Sequence, residues 1–268
     1  MMQDKGSIIA SIINTIRGYK MGELENFEKE RAELVSSNSK NKELQDAADA
    51  FLTKSADLNY SYNFSWLGRP IIQYPQDMVA MQEIIWEVKP DMIIETGIAH
   101  GGSLIFSASI LSLLESCGEI ESGKVLGIDI DIRAHNKEAI EAHPMSKKIT
   151  MYEGSSIDKN MIDRVHEFAK KGKKIMVFLD SMHSHEHVLE ELKAYAELTS
   201  VGSYCVVFDT LIEDMPKGFY DRPWDKGDNP KTAVWEFLAE SDNFVIDKNI
   251  DNKILVSVAP DGYLKRVQ

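Results

Sequence analysis

Four acidic residues, Glu95, Asp129, Asp180 and Asp209, stand at or just after short apolar runs. Any one of them is explained equally well as a helix cap or turn former. In an open α/β sheet, however, the ligand crevice lies outside the carboxyl ends of the strands. Four acids there build one negative site, suited to a cationic ligand, a metal ion, or both. Asp180 opens the run Asp180-Ser181-Met182-His183-Ser184-His185-Glu186-His187. Zinc would need a further convergent ligand, and no other His or Cys motif has the spacing to supply it. Asp180 and Asp209, at the ends of neighbouring strands, instead offer hard oxygen ligands for Mg²⁺. His183 is the candidate general base, because an imidazole of pKa ~6.5 exchanges its proton near neutral pH. His185 and His187 are expected to be solvent-exposed on the helix that follows.

The turn after Ile93-Ile94 reads Glu95-Thr96-Gly97-Ile98-Ala99-His100-Gly101-Gly102-Ser103. Its Gly97-x-Ala99-x-x-Gly102 spacing imitates a dinucleotide fingerprint but lacks the middle glycine. That glycine lets backbone approach a pyrophosphate; Ala99 and His100 crowd the space, and Glu95 repels phosphate. The same acid suits the ammonium and sulfonium end of S-adenosylmethionine. Glu95, Thr96, Gly97, His100, Gly102 and Ser103 are therefore expected around that cofactor. Asp129, at the end of the second strand, is placed to accept hydrogen bonds from a ribose diol. In Gly154-Ser155-Ser156-Ile157-Asp158, Ser156 is a plausible helix cap. In a methyltransferase sheet this stretch, Ser155 included, also lies beside the adenine.

Regular alternation positions these residues. Strands are expected at Met92–Glu95, Val125–Asp129, Ile149–Tyr152, Ile175–Leu179 and Tyr204–Phe208. Helical patterns follow at Ser103–Cys117, Ala134–Ala142, Asp158–Lys170 and Glu186–Leu198. Two last strand-like runs, Phe244–Asp247 and Ile254–Val258, flank Asn249-Ile250-Asp251-Asn252 and predict an antiparallel hairpin. The expectation is an α/β fold: a Rossmann-like class I methyltransferase sheet, mostly parallel, of seven strands with that terminal hairpin. Asp77 is read as the cap of a helix through Val88, and Pro230 as the first residue of another after Asn229.

Two further segments touch the expected crevice. Tyr60, Tyr62, Phe64 and Trp66 either wall a substrate pocket or plug the core. The polar Thr210–Asn229 loop, with Phe219, Tyr220, Arg222 and Trp224, is long enough for a substrate lid; a surface loop or subunit contact fits it as well. Residues 1–58 form a helical arm, and 59–268 the catalytic domain. An isoleucine stripe in the arm (Ile8, Ile9, Ile12, Ile13, Ile16) calls for a partner surface. That surface is either the outside of the domain or a second subunit, and a homo-oligomer through the arm is expected.

The chain has 268 residues and a net charge of -13. That balance argues against nucleic acid, which needs clustered Lys and Arg, and against an anionic membrane surface. No apolar run approaches the ~20 residues of a membrane span. Two cysteines, Cys117 and Cys205, lie in apolar runs and read as buried free thiols in a reducing cytoplasm.

Five stretches in order carry a resemblance. They are Trp66-Leu67-Gly68-Arg69-Pro70, Ile94-Glu95-Thr96-Gly97 with His100-Gly101-Gly102-Ser103, Leu179-Asp180-Ser181-x-His183, Asn229-Pro230-x-Thr232-Ala233, and Ala259-Pro260-Asp261-Gly262-Tyr263-Leu264. From about residue 60 onward the chain resembles the cephalosporin hydroxylase / rhamnosyl O-methyltransferase family. The resemblance implies an S-adenosylmethionine-dependent O-methyltransferase with a divalent metal and a sugar or other small-molecule hydroxyl as acceptor. It implies a metal site of an Asp after the fourth strand, matched by Asp180, and an acidic pair after the fifth. Asp209 matches the second member of the pair, and Phe208 stands where the first would be. With Phe208 there, the expectation is a metal bound more weakly, with Glu213 or Asp214 compensating, or no metal. Two rivals remain on the residues alone: an NAD-dependent oxidoreductase, and a non-enzymatic assembly protein whose acids merely cap helices.

Overall fold

The computed structural model describes the backbone of residues 5–268 and the side chains from residue 22 onward. The isoleucine stripe at Ile8 to Ile16 lies outside the described side chains. Two compact units make up the chain, Met1–Ala47 and Ala48–Gln268. The first holds α1 (Lys5–Asn38) and the start of α2 (Lys42–Asp57). A turn with Lys40 N bonded to Ser37 O separates the helices, and Asn41 Oδ1 accepts from Leu44 N at the start of α2. Leu24, Phe27 and Leu34 are exposed on α1.

The second unit is built on a seven-stranded sheet. Its strands are β3 (Met92–Thr96), β4 (Lys124–Asp129), β5 (Ile149–Glu153), β6 (Ile175–Leu179), β7 (Tyr204–Val207), β8 (Phe244–Ile246) and β9 (Tyr263–Arg266). The spatial order is β5-β4-β3-β6-β7-β9-β8; only β9 runs against its neighbours. A separate ribbon pairs β1 (Ser65–Trp66) with β2 (Arg69–Pro70).

Period-two alternation distributes the strand side chains between two cores. Ile93, Met176, Phe178 and Val206 pack on the face covered by α3 (Pro75–Val88) and α4 (Gly102–Ser116). Ile94, Val177, Leu179 and Val207 pack on the other, under α6 (Lys159–Ala169), α7 (His185–Tyr195) and α8 (Pro230–Glu240). Both faces of β3 and β6 are therefore buried, which is why these strands read as unbroken apolar runs.

The expected C-terminal hairpin takes a different form. Ile254–Val258 is not a strand: α9 (Lys248–Ile254) occupies the supposed turn, and Leu255, at φ +62°, ends it. The reversed strand is β9, inserted between β7 and β8. Its charged Lys265 and Arg266 hid it, yet Lys265 lies over the Tyr204 ring and Arg266 over Phe244, so their stems cover apolar surface.

Asp77 does not cap α3; Tyr74 stands at the cap position. Asp77 is buried in the first turn instead, where it accepts from Ser257 Oγ (2.5 Å), Tyr263 OH (2.8 Å) and Val258 N (2.9 Å). It thereby ties α3 to the segment leading into β9, and burial pushes its pKa up to about 6. Ser156 likewise caps nothing. Asp158 caps α6 itself, accepting from Asn160 N and Met161 N. Asn229 and Thr232 form the capping box of α8, with Pro230 in its first turn as expected. Of the two free thiols, Cys205 is buried, but Cys117, at the end of α4, is exposed.

Candidate active site

A cavity of about 1010 Å³ opens at the carboxyl ends of β3, β4, β6 and β7. The glycine turn forms one side of it. Gly97 sits at φ +88°, where a side chain is strained, and a Cβ there would meet Asp180 O at 1.9 Å. Gly102 faces β2, and a Cβ there would stand 2.1 Å from Pro70 O. The turn is thus clamped between β6 and the ribbon. Asp180 N donates to Thr96 O at 2.9 Å, which fixes the β6 end against the turn.

Asp129 braces the turn from the β4 side. Its Oδ2 accepts from Ile98 N (2.8 Å) and Ala99 N (3.3 Å), and its Oδ1 from Asp131 N (3.1 Å). Ala99 takes φ +44°, a left-handed conformation in a residue with a side chain, so the crowding expected of Ala99 has a backbone counterpart. Arg69 donates to His100 O at 3.0 and 2.6 Å and to Asn136 Oδ1 at 3.0 Å; Asn136 returns a bond to Ala99 O at 2.9 Å. Neither structural role was read from the sequence, although Arg69 lies in a stretch singled out there.

Gly97, His100, Gly102, Ser103, Asp129, Ser155, Asp180, His183 and Asp209 all line the cavity. Glu95 and Thr96 do not. Glu95 lies behind the turn, buried, with Oε1 accepting from Ser103 Oγ and Oε2 lacking a partner among the described residues. Burial raises its pKa to about 8, against the lowering effect of the Ser103 hydroxyl.

Asp180, His183 and Asp209 each present a ligand atom within 4.8 Å of the others. Asp209 follows β7 at φ +55°, and its Oδ2 lies 3.0 Å from His183 Nε2. Burial raises the Asp180 pKa well above the carboxylate range, and repulsion from Asp209 and then Glu95 adds to it. The Asp180 carboxylate has no hydrogen bond or ion pair among the described residues, its backbone N–H alone being bonded, to Thr96. Two close carboxylates, one of them unpartnered, and an imidazole make a donor set that a divalent cation would complete.

Phe208 supplies no donor: it is buried, edge-on to Phe178 at 6.1 Å. The expected compensation is absent. Glu213 is engaged with Gly227 N and Asn229 Nδ2, and Asp214 with buried Lys231.

His185 and His187 are not exposed. His185 bonds Thr232 Oγ1 (2.8 Å) and Glu236 (3.1 Å) on α8. His187 Nε2 lies 3.1 Å from both Ser156 Oγ and Ser181 Oγ, and Ser181 donates to fully buried Glu191. His187 thus joins the loops after β5 and β6 at the cavity wall. Of the aromatic stretch, Tyr62 and Tyr74 line the cavity, while Trp66 packs on Phe106 and donates to Ser109 Oγ. From the long loop, Tyr220, Arg222 and Trp224 reach the cavity.

Counted from β3 as one, the strand order is 3-2-1-4-5-7-6 with a single reversed strand. With an acid-lined crevice at the strand ends, this is the architecture of a class I methyltransferase. The chain belongs to the rhamnosyl O-methyltransferase/CmcI family, whose model matches residues 58–267. The rhamnosyl O-methyltransferase of Mycobacterium tuberculosis (strain ATCC 25618 / H37Rv) is 31% identical over 194 residues, 71% of this chain and 73% of the relative. That of Mycobacterium leprae (strain TN) is 28% identical over 160 residues, covering 59% and 66%. Among solved structures, the CmcI apo-structure superposes with TM-score 0.53 at 22% identity, covering 77% of each chain. CmcI with Mg-SAM gives 0.53 at 21%, covering 77% and 78%. Among the described residues, no helix is long and apolar enough to cross a membrane.

Proposed function

We propose that the protein transfers a methyl group from S-adenosylmethionine to a hydroxyl of a sugar, assisted by Mg²⁺ held on Asp180 and Asp209. The observation that carries the reading is the convergence of the glycine turn, Asp129 and the Asp180–His183–Asp209 cluster on one cavity. Asp129 receives the ribose, Ser155 the adenine side, and the turn from Gly97 to Ser103 the methionine end. Buried Glu95 lies behind that end, and a sulfonium or ammonium group bound there would favour its charged form by supplying a counter-charge to its unpartnered oxygen. Mg²⁺ bound on Asp180 and Asp209 would supply positive charge that makes a neutral hydroxyl a better nucleophile. His183 accepts the hydroxyl proton, oriented by its contact with Asp209. The remaining catalysis is alignment of a preactivated methyl donor with the acceptor oxygen.

The rhamnosyl relatives support a sugar acceptor, and the cavity has room for one beside the cofactor, walled by Tyr62, Tyr220 and Trp224. In this reading residues 59–268 are the catalytic domain. Residues 1–58 are the arm of a cytoplasmic homo-oligomer, supported by exposed Leu24, Phe27 and Leu34 and by free cysteines. A thermal-shift comparison of S-adenosylhomocysteine with NAD tests the cofactor. Stabilisation by S-adenosylhomocysteine is expected; stabilisation by NAD alone would transfer the chain to the oxidoreductases.

A further inference from the structure

The loop after β7 is closed by side chains folded onto its own backbone. Asp225 accepts from Gly218 N with both carboxylate oxygens, at 3.0 and 2.9 Å. Asp225 and Asp228 exchange backbone hydrogen bonds at 3.0 and 2.9 Å. Glu213 accepts from Gly227 N (2.7 Å) and Asn229 Nδ2 (2.6 Å), and Asn229 Nδ2 also reaches Asp225 O (3.0 Å). Asp228 accepts from His185 N at 2.8 Å, which pins the loop to the start of α7, two residues past His183. This bracing closes the loop from Gly218 to Asp225 and fixes the chain immediately after Trp224, the residue just before Asp225. The Trp224 ring is half-buried, faces the cavity, and meets the His183 imidazole edge-to-face, with centroids 4.9 Å apart and planes at 89°.

His183 sits in the turn between β6 and α7, and its one polar partner among the described residues is Asp209. A single hydrogen bond leaves an imidazole free to swing about its side-chain torsions; an aromatic edge packed against the ring removes that freedom. We infer that Trp224 is a positioning residue: held by the Asp225 clasp, its indole fixes His183 on Asp209 in the orientation that meets the acceptor hydroxyl. The loop is then a prebuilt wall rather than a hinged cover. The inference rests on the methyltransferase reading for the role of His183, but the contact itself stands apart from it.

The full chain carrying Trp224→Ala or Trp224→Phe tests this. With ¹³C-labelled histidine, the His183 ring signal is identified by its loss in His183→Gln. In the parent it is displaced by the indole ring current; it is expected to lose that displacement and broaden in Trp224→Ala, and to recover partly in Trp224→Phe. S-adenosylhomocysteine affinity by calorimetry stays unchanged in both variants. With the acceptor found by methyl transfer, kcat falls about tenfold or more in Trp224→Ala, in addition to any rise in acceptor KM from opening the cavity wall, and Trp224→Phe restores most of it. An unmoved His183 signal, or a loss confined to acceptor KM, overturns the inference. Should Trp224→Ala not fold, Trp224→Phe decides alone: a His183 signal identical to the parent's overturns the inference, and a displaced one with reduced kcat upholds it. A parent that does not bind S-adenosylhomocysteine sinks the methyltransferase reading instead, while the ring-current measurement still reports on the contact.

Discussion

The Ser103 hydroxyl donates to Oε1 of Glu95 across the glycine turn, while Oε2 of the same buried carboxylate has no partner among the described residues. The charged form is thus poorly accommodated when no ligand is bound. With its pKa raised to about 8, Glu95 holds its proton more tightly in the folded protein than in the unfolded chain. Its contribution to stability is fully present below the unfolded pKa near 4.5 and is lost as pH rises through about 8. Asp77, raised to about 6, adds the same sign over a lower window.

The melting temperature of the ligand-free protein is therefore expected to fall between pH 6 and 9, measured by calorimetry at fixed salt. Glu95→Gln, a neutral isostere, should flatten that slope and stabilise the free protein at pH 9 by roughly 3 kcal/mol. It should weaken S-adenosylmethionine by removing the counter-charge. A variant with the parent's pH slope would show that Glu95 is not the group responsible.

Asp129 braces Ile98 N and Ala99 N and, in the proposed reading, also faces the ribose. Asp129→Ala is expected to weaken S-adenosylhomocysteine about 30-fold, corresponding to roughly 2 kcal/mol of charge-assisted hydrogen bonding. Asp129→Asn keeps an oxygen for the two amides and separates the two roles. Calorimetric binding as tight as the parent's in Asp129→Ala would remove the ribose assignment.

A metal held on Asp180 and Asp209 would offset the burial, and the repulsion from Asp209, that hold the Asp180 proton. Mg²⁺ is thus expected to raise the melting temperature more at pH 8 than at pH 6, because it competes with that proton. EDTA and Asp180→Asn should each abolish the shift and depress kcat about 100-fold or more. Full activity under both conditions would strike the metal from the mechanism.

Gly97→Ala tests the close approach of the turn to β6. The new Cβ meets Asp180 O at 1.9 Å from a backbone at φ +88°, so both must move. A loss of about 3 kcal/mol in urea unfolding is expected, with metal and cofactor affinity falling together. Near-parent stability would mean that the turn and Asp180 are not in contact.

Much of this is legible in the sequence. The five parallel strands and the acids at their ends follow from apolar runs punctuated by Gly and Asp, most clearly in β3, β6 and β7, where burial on both faces leaves no polar alternation to confuse the pattern. β9 was not legible, since Lys265 and Arg266 bury only their stems, while the apolar Ile254–Val258 run looks like a strand and is instead the last residue of α9 and the bend that follows it. His185 and His187 were read as exposed because their partners, Thr232, Glu236, Ser156 and Glu191, come from other elements or deeper in the same helix. Asp77 misled for the same reason: a helix-start acid resembles a cap until Ser257 and Tyr263 arrive from the far end of the chain.

The central claim is methyl transfer to a sugar hydroxyl, and mass spectrometry of the products tests it most directly. Rhamnosides, other glycans and nucleotide sugars are incubated with the protein, Mg²⁺ and S-adenosylmethionine carrying a ¹³C-methyl group. The account predicts a single labelled methyl on oxygen of one sugar class, absent with His183→Gln or Asp209→Asn. Methyl transfer that persists undiminished in both variants, or binding of the cofactor with no acceptor methylated anywhere in the panel, contradicts it.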